Sequence, residues 1–534
     1  MRSIQTALFA CALVGWLPAQ NVFHGNGVPG AYFTNTPGVV GQQLTIGFGS
    51  PTTPLALALV AFSDGKGPVT VPGFGPIGID LLSPAYQIYS LGLDPNGDGT
   101  GTLLLPPGFP LPTDPPLFAH CGTFELAGLS ISKTARIEWA AANRWEAVAP
   151  MTAQRQQHTA TALGTGPRDN VTEVLICGGA TGSIIVPTPI ASAELYAPLD
   201  RATTPLPSMS LPRAGHRAVR LPDGRVLISG GVTTGGAVTA TCELFDPTTL
   251  TFSIGPLMST PRAGHGMTLL QDGRVLITGG ISDWTNAAVQ FTTRLNTAQD
   301  TAELYDPVAG TMTPMPNMAA KRFGHSSTLL PDGRVLLING LNGGALGTDL
   351  SGQTYQVPTW TGSCEAFDPV TLTFAATAPT GLLTPIVERA FHGASVLPNG
   401  DVLITGGLAP AAGSPGLPPA VAFVGCGVWD GTSWSAAPSL PTATAFHTQE
   451  PFGPGALVVG GITGDLSALL PIAQVVRHDG TGLLSLAPIG TDGGGTPTTT
   501  GLHTCTRLYD GTFLIYGGGQ WPNTLDQGFV YTPN

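Results

Sequence analysis

Seven of the ten histidines stand at one recurring position, residues 158, 216, 265, 325, 392, 447 and 503. A circle of imidazoles can ligate a metal or hold an anion. Zinc-type coordination, however, brings three or four ligands within about 2 Å of one centre. Histidines on the first strand of successive sheets point between neighbours instead. They are expected to satisfy backbone groups of the adjacent repeat. Arg213, Arg262, Arg322 and Arg389 each precede a histidine by three residues. Their expected place is the mouth of the assembly, where a guanidinium can meet an acidic ligand. Asp94, Asn96 and Asp98 follow the first half of a calcium loop, but Leu105 stands where the bidentate Glu belongs. A polar hairpin turn is the better account, and calcium stays a weak candidate; no other metal and no cofactor is expected.

These residues sit in a longer pattern. Arg213-Ala-Gly-His216 leads to Asp223-Gly-Arg-Val-Leu-Ile-Ser-Gly-Gly231 and then Cys242-Glu-Leu-Phe-Asp-Pro247. Arg262, Arg322 and Arg389 open three further copies, and weaker ones carry His158, His447 and His503. The first residue of each Gly-Gly pair (Asn339 in one copy) recurs at intervals of 49 to 67 residues, giving seven copies. Asp-Gly between apolar runs supplies the positive φ of a tight hairpin, paired glycines permit close backbone approach, and Asp-Pro starts another turn. The pattern resembles the kelch-repeat β-propeller, in particular bacterial secreted kelch proteins related to the central domain of galactose oxidase. The resemblance covers residues 143–534 and implies seven four-stranded blades. The last copy ends one strand short, and Trp145 marks a fourth-strand sequence upstream of the first. Residues 143–151 are therefore expected to pair with 528–533 and close the ring.

Residues 21–140 lack the repeat. Their short apolar runs, separated by Pro- and Gly-rich turns, predict a small immunoglobulin-like β-sandwich. Before them, Arg2, the apolar stretch Ala7–Leu17 and Pro18-Ala19 read as a secretory signal over residues 1–20, with cleavage after Ala19 or Gln20. No later segment has eighteen consecutive apolar residues, so a soluble exported chain is expected, secreted, periplasmic or on the cell surface. Six cysteines follow the signal. Cys242, Cys364 and Cys426 replace alanine on third strands and read as small buried residues; only Cys177 and Cys505 merit attention as a pair.

Charge narrows the function. With 21 Lys plus Arg against 33 Asp plus Glu, the net charge is −12, so no basic footprint for nucleic acid exists. At 42% hydrophobic and 10% charged residues, the chain is not a disordered polyelectrolyte. A galactose-oxidase-like site implies two tyrosines, two histidines and a cysteine bonded to one tyrosine, with one ligand from a further C-terminal domain. No residue-by-residue match is found. Long insertions at 281–300, 341–362 and 408–424, all between second and third strands, instead bring Trp284, Arg294, Tyr355 and Trp360 to one face, with Trp521 from the last blade. Aromatic rings there can stack on sugars or simply pack their own loops. The leading expectation is a non-catalytic module binding an extracellular glycan or protein. An oxidoreductase of the galactose-oxidase superfamily, another sugar-modifying propeller and a structural spacer are the alternatives.

Overall fold

The computed structural model describes Arg144 to Thr532 apart from residues 165–172, 183–186, 285–294, 349–353, 381–387, 411–419, 479–482, 486–499 and a few shorter gaps, together with the backbone of eleven strands between Asn21 and Ile137. Residues 1–20, Asp94, Asn96, Arg294 and Trp521 fall outside the described residues, as do the side chains of Asp98, Cys121 and Tyr355.

Apolar tetrapeptides bounded by turn residues build the core. Val174–Cys177, Val226–Ser229, Val275–Thr278, Val335–Ile338 and Val402–Thr405 are second strands in which every residue is buried. Gly455–Val459 and Phe513–Tyr516 continue the series. A strand covered on both faces has no solvent side to alternate with, which is why these runs are continuously apolar. The outer strands Thr311–Met315 and Thr373–Thr377 do alternate between exposed and half-buried residues. Near their starts, Phe252 packs on Phe245 and Phe374 on Phe367, each pair with centroids 5.0 Å apart.

Among the described residues the chain folds into seven four-stranded antiparallel blades, and it is an all-β, seven-bladed β-propeller. Six blades take their strands in sequence order. The seventh runs Thr504–Arg507, Phe513–Tyr516, Gly528–Thr532 and then Arg144–Val148, with Trp145 opposite Tyr531. The innermost strands abut in a circle, and Thr504–Arg507 lies beside Thr159–Ala162 to complete it.

The insertions between second and third strands contain pairing of their own. Leu341–Thr348 and Thr354–Trp360 form a hairpin, and Leu408–Ala409, Val421–Ala422, Ile462–Asp465 and Ala468–Pro471 form one small sheet spanning two blades. Upstream of the propeller, strand pairing gives two larger antiparallel sheets and a two-stranded one, Val69–Val71 with Gly75–Ile77. One larger sheet runs Asn21–His24, Tyr32–Asn35, Gln43–Gly49, Asp98–Leu104; the other runs Gly128–Ile131, Leu117–Glu125, Leu57–Ser63, Gln87–Gly92. Whether these two stack as an immunoglobulin-like sandwich depends on side chains outside the described residues.

Candidate functional site

The repeated polar residues resolve into three layers around the channel. In the outermost, Arg155, Arg213, Arg262 and Arg322 pair with Glu194, Glu243, Glu303 and Glu365 of the same blade at 2.5–2.9 Å, all eight side chains buried. Each Nη1 also donates to the carbonyl of the first residue of the Gly-Gly pair, such as Gly230 at 2.7 Å. Each carboxylate accepts a second bond from a backbone N–H, for example Ser259 at 2.7 Å. Arg389 is equally buried, donates to Gly406 and Gly425, and lies over the Phe423 ring at 5.0 Å. The expectation that Arg213, Arg262, Arg322 and Arg389 line the mouth for an acidic ligand is therefore corrected. All four are 0% exposed and fasten strands of their own blades. Two residues beyond each arginine is a residue at positive φ, which turns the chain so that arginine and histidine face different neighbours.

The histidines form the second layer, and each ties one blade to the preceding one. Every Nε2 lies 2.8–3.1 Å from a hydroxyl: His216 on Thr159, His265 on Ser229, His325 on Thr278, His392 on Ser326, His447 on Thr405, His503 on Thr448 and His158 on Thr504. A side-chain hydroxyl is thus a partner in every case, and the expected backbone contact is also made at His447, whose Nε2 accepts from the Gly393 N–H at 3.2 Å. The hydroxyls follow an either-or rule. Where the residue after the histidine is Thr or Ser, it supplies the hydroxyl; where it is Arg217, Gly266 or Gly393, the last residue of the second strand does so. Burial drives the rings far below the usual imidazole range, to about 3 for His216 and His447 and about 4 for His503. They stay neutral and radially spread, and no group of three or more His, Cys, Asp or Glu suited to a metal occurs among the described residues.

The mouth is the third layer. Gln157, Gly215, Gly264, Gly324, Phe391, Phe446 and Leu502 all adopt φ between 54° and 66°. Each donates its backbone N–H to the carbonyl of its counterpart in the preceding blade, at 2.8–3.4 Å, and Gln157 N–H to Leu502 O closes the circle. Aromatic side chains pave part of this rim. Phe391 stacks on Phe446 with centroids 4.3 Å apart, and Phe323 meets Phe391 edge-on at 5.2 Å. Half-buried Trp284 and Trp360, from different insertions, join the cluster that contains Phe323 and Phe391. Tyr355 lies on the same hairpin as Trp360, opposite Gly347.

Five cysteines, Cys177, Cys242, Cys364, Cys426 and Cys505, are free and buried. Burial raises their thiols, to about 11 for Cys177 and about 12 for Cys242, which removes the thiolate needed for reactivity. Tyr196 and Tyr305 are third-strand core residues.

Charges on the innermost strands were not apparent from the repeat. Arg217, Arg220, Glu450 and Arg507 are the charged residues there. Burial pushes the Glu450 carboxyl up to about 7, with Arg507 acting in the opposite sense. The folded chain then holds a proton at Glu450 that the unfolded chain releases above the ordinary Glu range. Stability from this group falls as pH rises from about 4.5 to 7. Glu450→Gln is expected to raise the melting midpoint relative to the parent at pH 8 and to match it near pH 4; an equal gap at both would refute the assignment.

No protein-family model and no curated protein matches the sequence. Among solved structures, one described as YjhT aligns over 62% of this chain and 96% of its own, at 16% identity and a TM-score of 0.44. A fungal alcohol oxidase of the AA5 family, solved with copper, aligns over 74% of this chain and 77% of its own, at 14% identity and a TM-score of 0.51. At these identities the likeness concerns fold. By its architecture this chain is a seven-bladed β-propeller, a fold it shares with that oxidase.

Proposed function

We propose that the chain is a non-catalytic binding module that recognises an extracellular glycan or protein at the aromatic rim of its propeller. One observation carries this reading: Trp284 and Trp360, supplied by separate insertions, converge with Phe323 and Phe391 beside the channel mouth. Flat rings held by a rigid scaffold offer stacking area at little entropic cost, as recognition surfaces require. The extracellular setting rests on the leader-like first twenty residues.

The oxidase reading finds no comparable support. Each ring-forming imidazole is engaged by a hydroxyl, and no three ligating side chains converge among the described residues to suit copper. Immobilised-glycan retention tests the proposal: Trp284→Ala combined with Trp360→Ala is expected to weaken retention at least tenfold while leaving the β-sheet spectrum intact. Retention equal to the parent's would overturn it.

A further inference from the structure

Every arginine in the Asp-Gly-Arg turns and Arg-Glu pairs is answered by a carboxylate, but Arg217 is not. It follows His216 on the innermost strand of the second blade. Its Nε donates to the backbone carbonyl of His265 at 2.9 Å, and its two terminal nitrogens have no partner among the described residues. The side chain is solvent-exposed although it stands on a strand whose open edge borders only the channel. A guanidinium in that position is accessible to small solutes and flanked by protein on all sides.

The same layer supplies further donors. Thr159, Ser326, Thr448 and Thr504 occupy the position of Arg217 in four other blades, each half-buried and each bonded to a neighbouring histidine. Burial holds those imidazoles neutral. Each hydroxyl exchanges one hydrogen bond with Nε2 and, being both donor and acceptor, has capacity for another partner. Thr159 has a further partner in the Cys177 sulfur at 3.3 Å, and Thr448 has one in the Cys505 sulfur. No acid occupies this layer, and Glu450 stands two residues further along its strand.

We propose that the channel holds a small-oxyanion site, in which the terminal nitrogens of Arg217 grip two oxygens of a carboxylate or phosphate. Two parallel N–H···O bonds to a planar anion are the strongest arrangement a guanidinium offers. The site is independent of the aromatic rim.

The test titrates the full chain with sodium phosphate and, separately, sodium acetate, ionic strength being held constant with sodium chloride. Calorimetry and the melting midpoint are the readouts. Saturable binding of at least one anion above the chloride baseline is expected, and the anion that saturates identifies the source. Arg217→Gln should weaken it at least tenfold, and Arg217→Met should do the same, so either variant that folds suffices. Arg225→Gln, which removes an exposed arginine paired with Asp223, should bind as the parent does. No saturation in the parent, or undiminished binding in both Arg217 variants, would overturn the site. Trp284→Ala with Trp360→Ala should leave anion binding unchanged, so failure at the rim and failure in the channel are separable.

Discussion

Glu303→Ala is expected to cost about 3–5 kcal/mol of stability, because it strands the Arg262 guanidinium in a dry interior. Arg262 is 0% exposed and loses its 2.9 Å partner, while the Ser259 N–H loses its acceptor. The chain contains its own control. In the sixth blade Thr444 replaces the arginine and Val476 the glutamate; in the seventh, Thr500 and Phe529 do so. Both charges have gone together, and Thr444 and Thr500 still donate to Gly460 and Gly517, at 3.2 and 2.9 Å, as the arginines do to their glycines. Arg262→Thr with Glu303→Val should therefore be clearly more stable than Glu303→Ala alone. Denaturant midpoints of the parent, the single and the double variant decide it. A double variant as unstable as the single would mean that the pair is not replaceable as a unit.

Trp145→Ala carries the second large effect, about 3–5 kcal/mol, the usual range for truncating a buried Trp. Trp145 is 4% exposed, with its ring 4.6 Å from Tyr531 and 6.4 Å from Phe529. It anchors the strand Arg144–Val148, which completes the seventh blade through pairing with Gly528–Thr532. Without that anchor the strand Gly528–Thr532 becomes an open edge. Trp145→Phe should recover most of the loss. Melting midpoints, with limited proteolysis near residue 150, provide the measurement; unchanged midpoint and cleavage would show that the ring does not depend on this strand.

The blades could be read from the sequence because each rests on local chemistry: a hairpin at Asp223-Gly224, buried apolar runs, paired glycines. Histidines at the start of first strands were read as contacts between blades, and each does reach a side chain of the preceding blade. Their hydroxyl partners were not legible, because the role passes between two places, Thr159 or Ser326 on first strands and Ser229 or Thr278 on second strands. Only the register of both strands and the identity of the neighbouring blade show that these are one device. The arginines were misplaced for a related reason. Arg213 and His216 are three residues apart, yet Gly215 between them has φ of 62° and sends them to different partners. Arg217 had a signal available: it is the one charge in a slot otherwise filled by Thr, Ser or Gly.

The rim of seven peptide links has an electrical consequence. Each peptide unit carries a dipole of about 3.5 D, and here the N–H groups of seven units meet the carbonyls of seven others around a closed loop. Tangential vectors on a circle cancel, so this collar imposes little net field along the axis, unlike the end of a helix. Ions of either sign therefore pass the opening on nearly equal terms. Any preference the pore shows must be written by the few charged side chains below, and reversing one of them should reverse it.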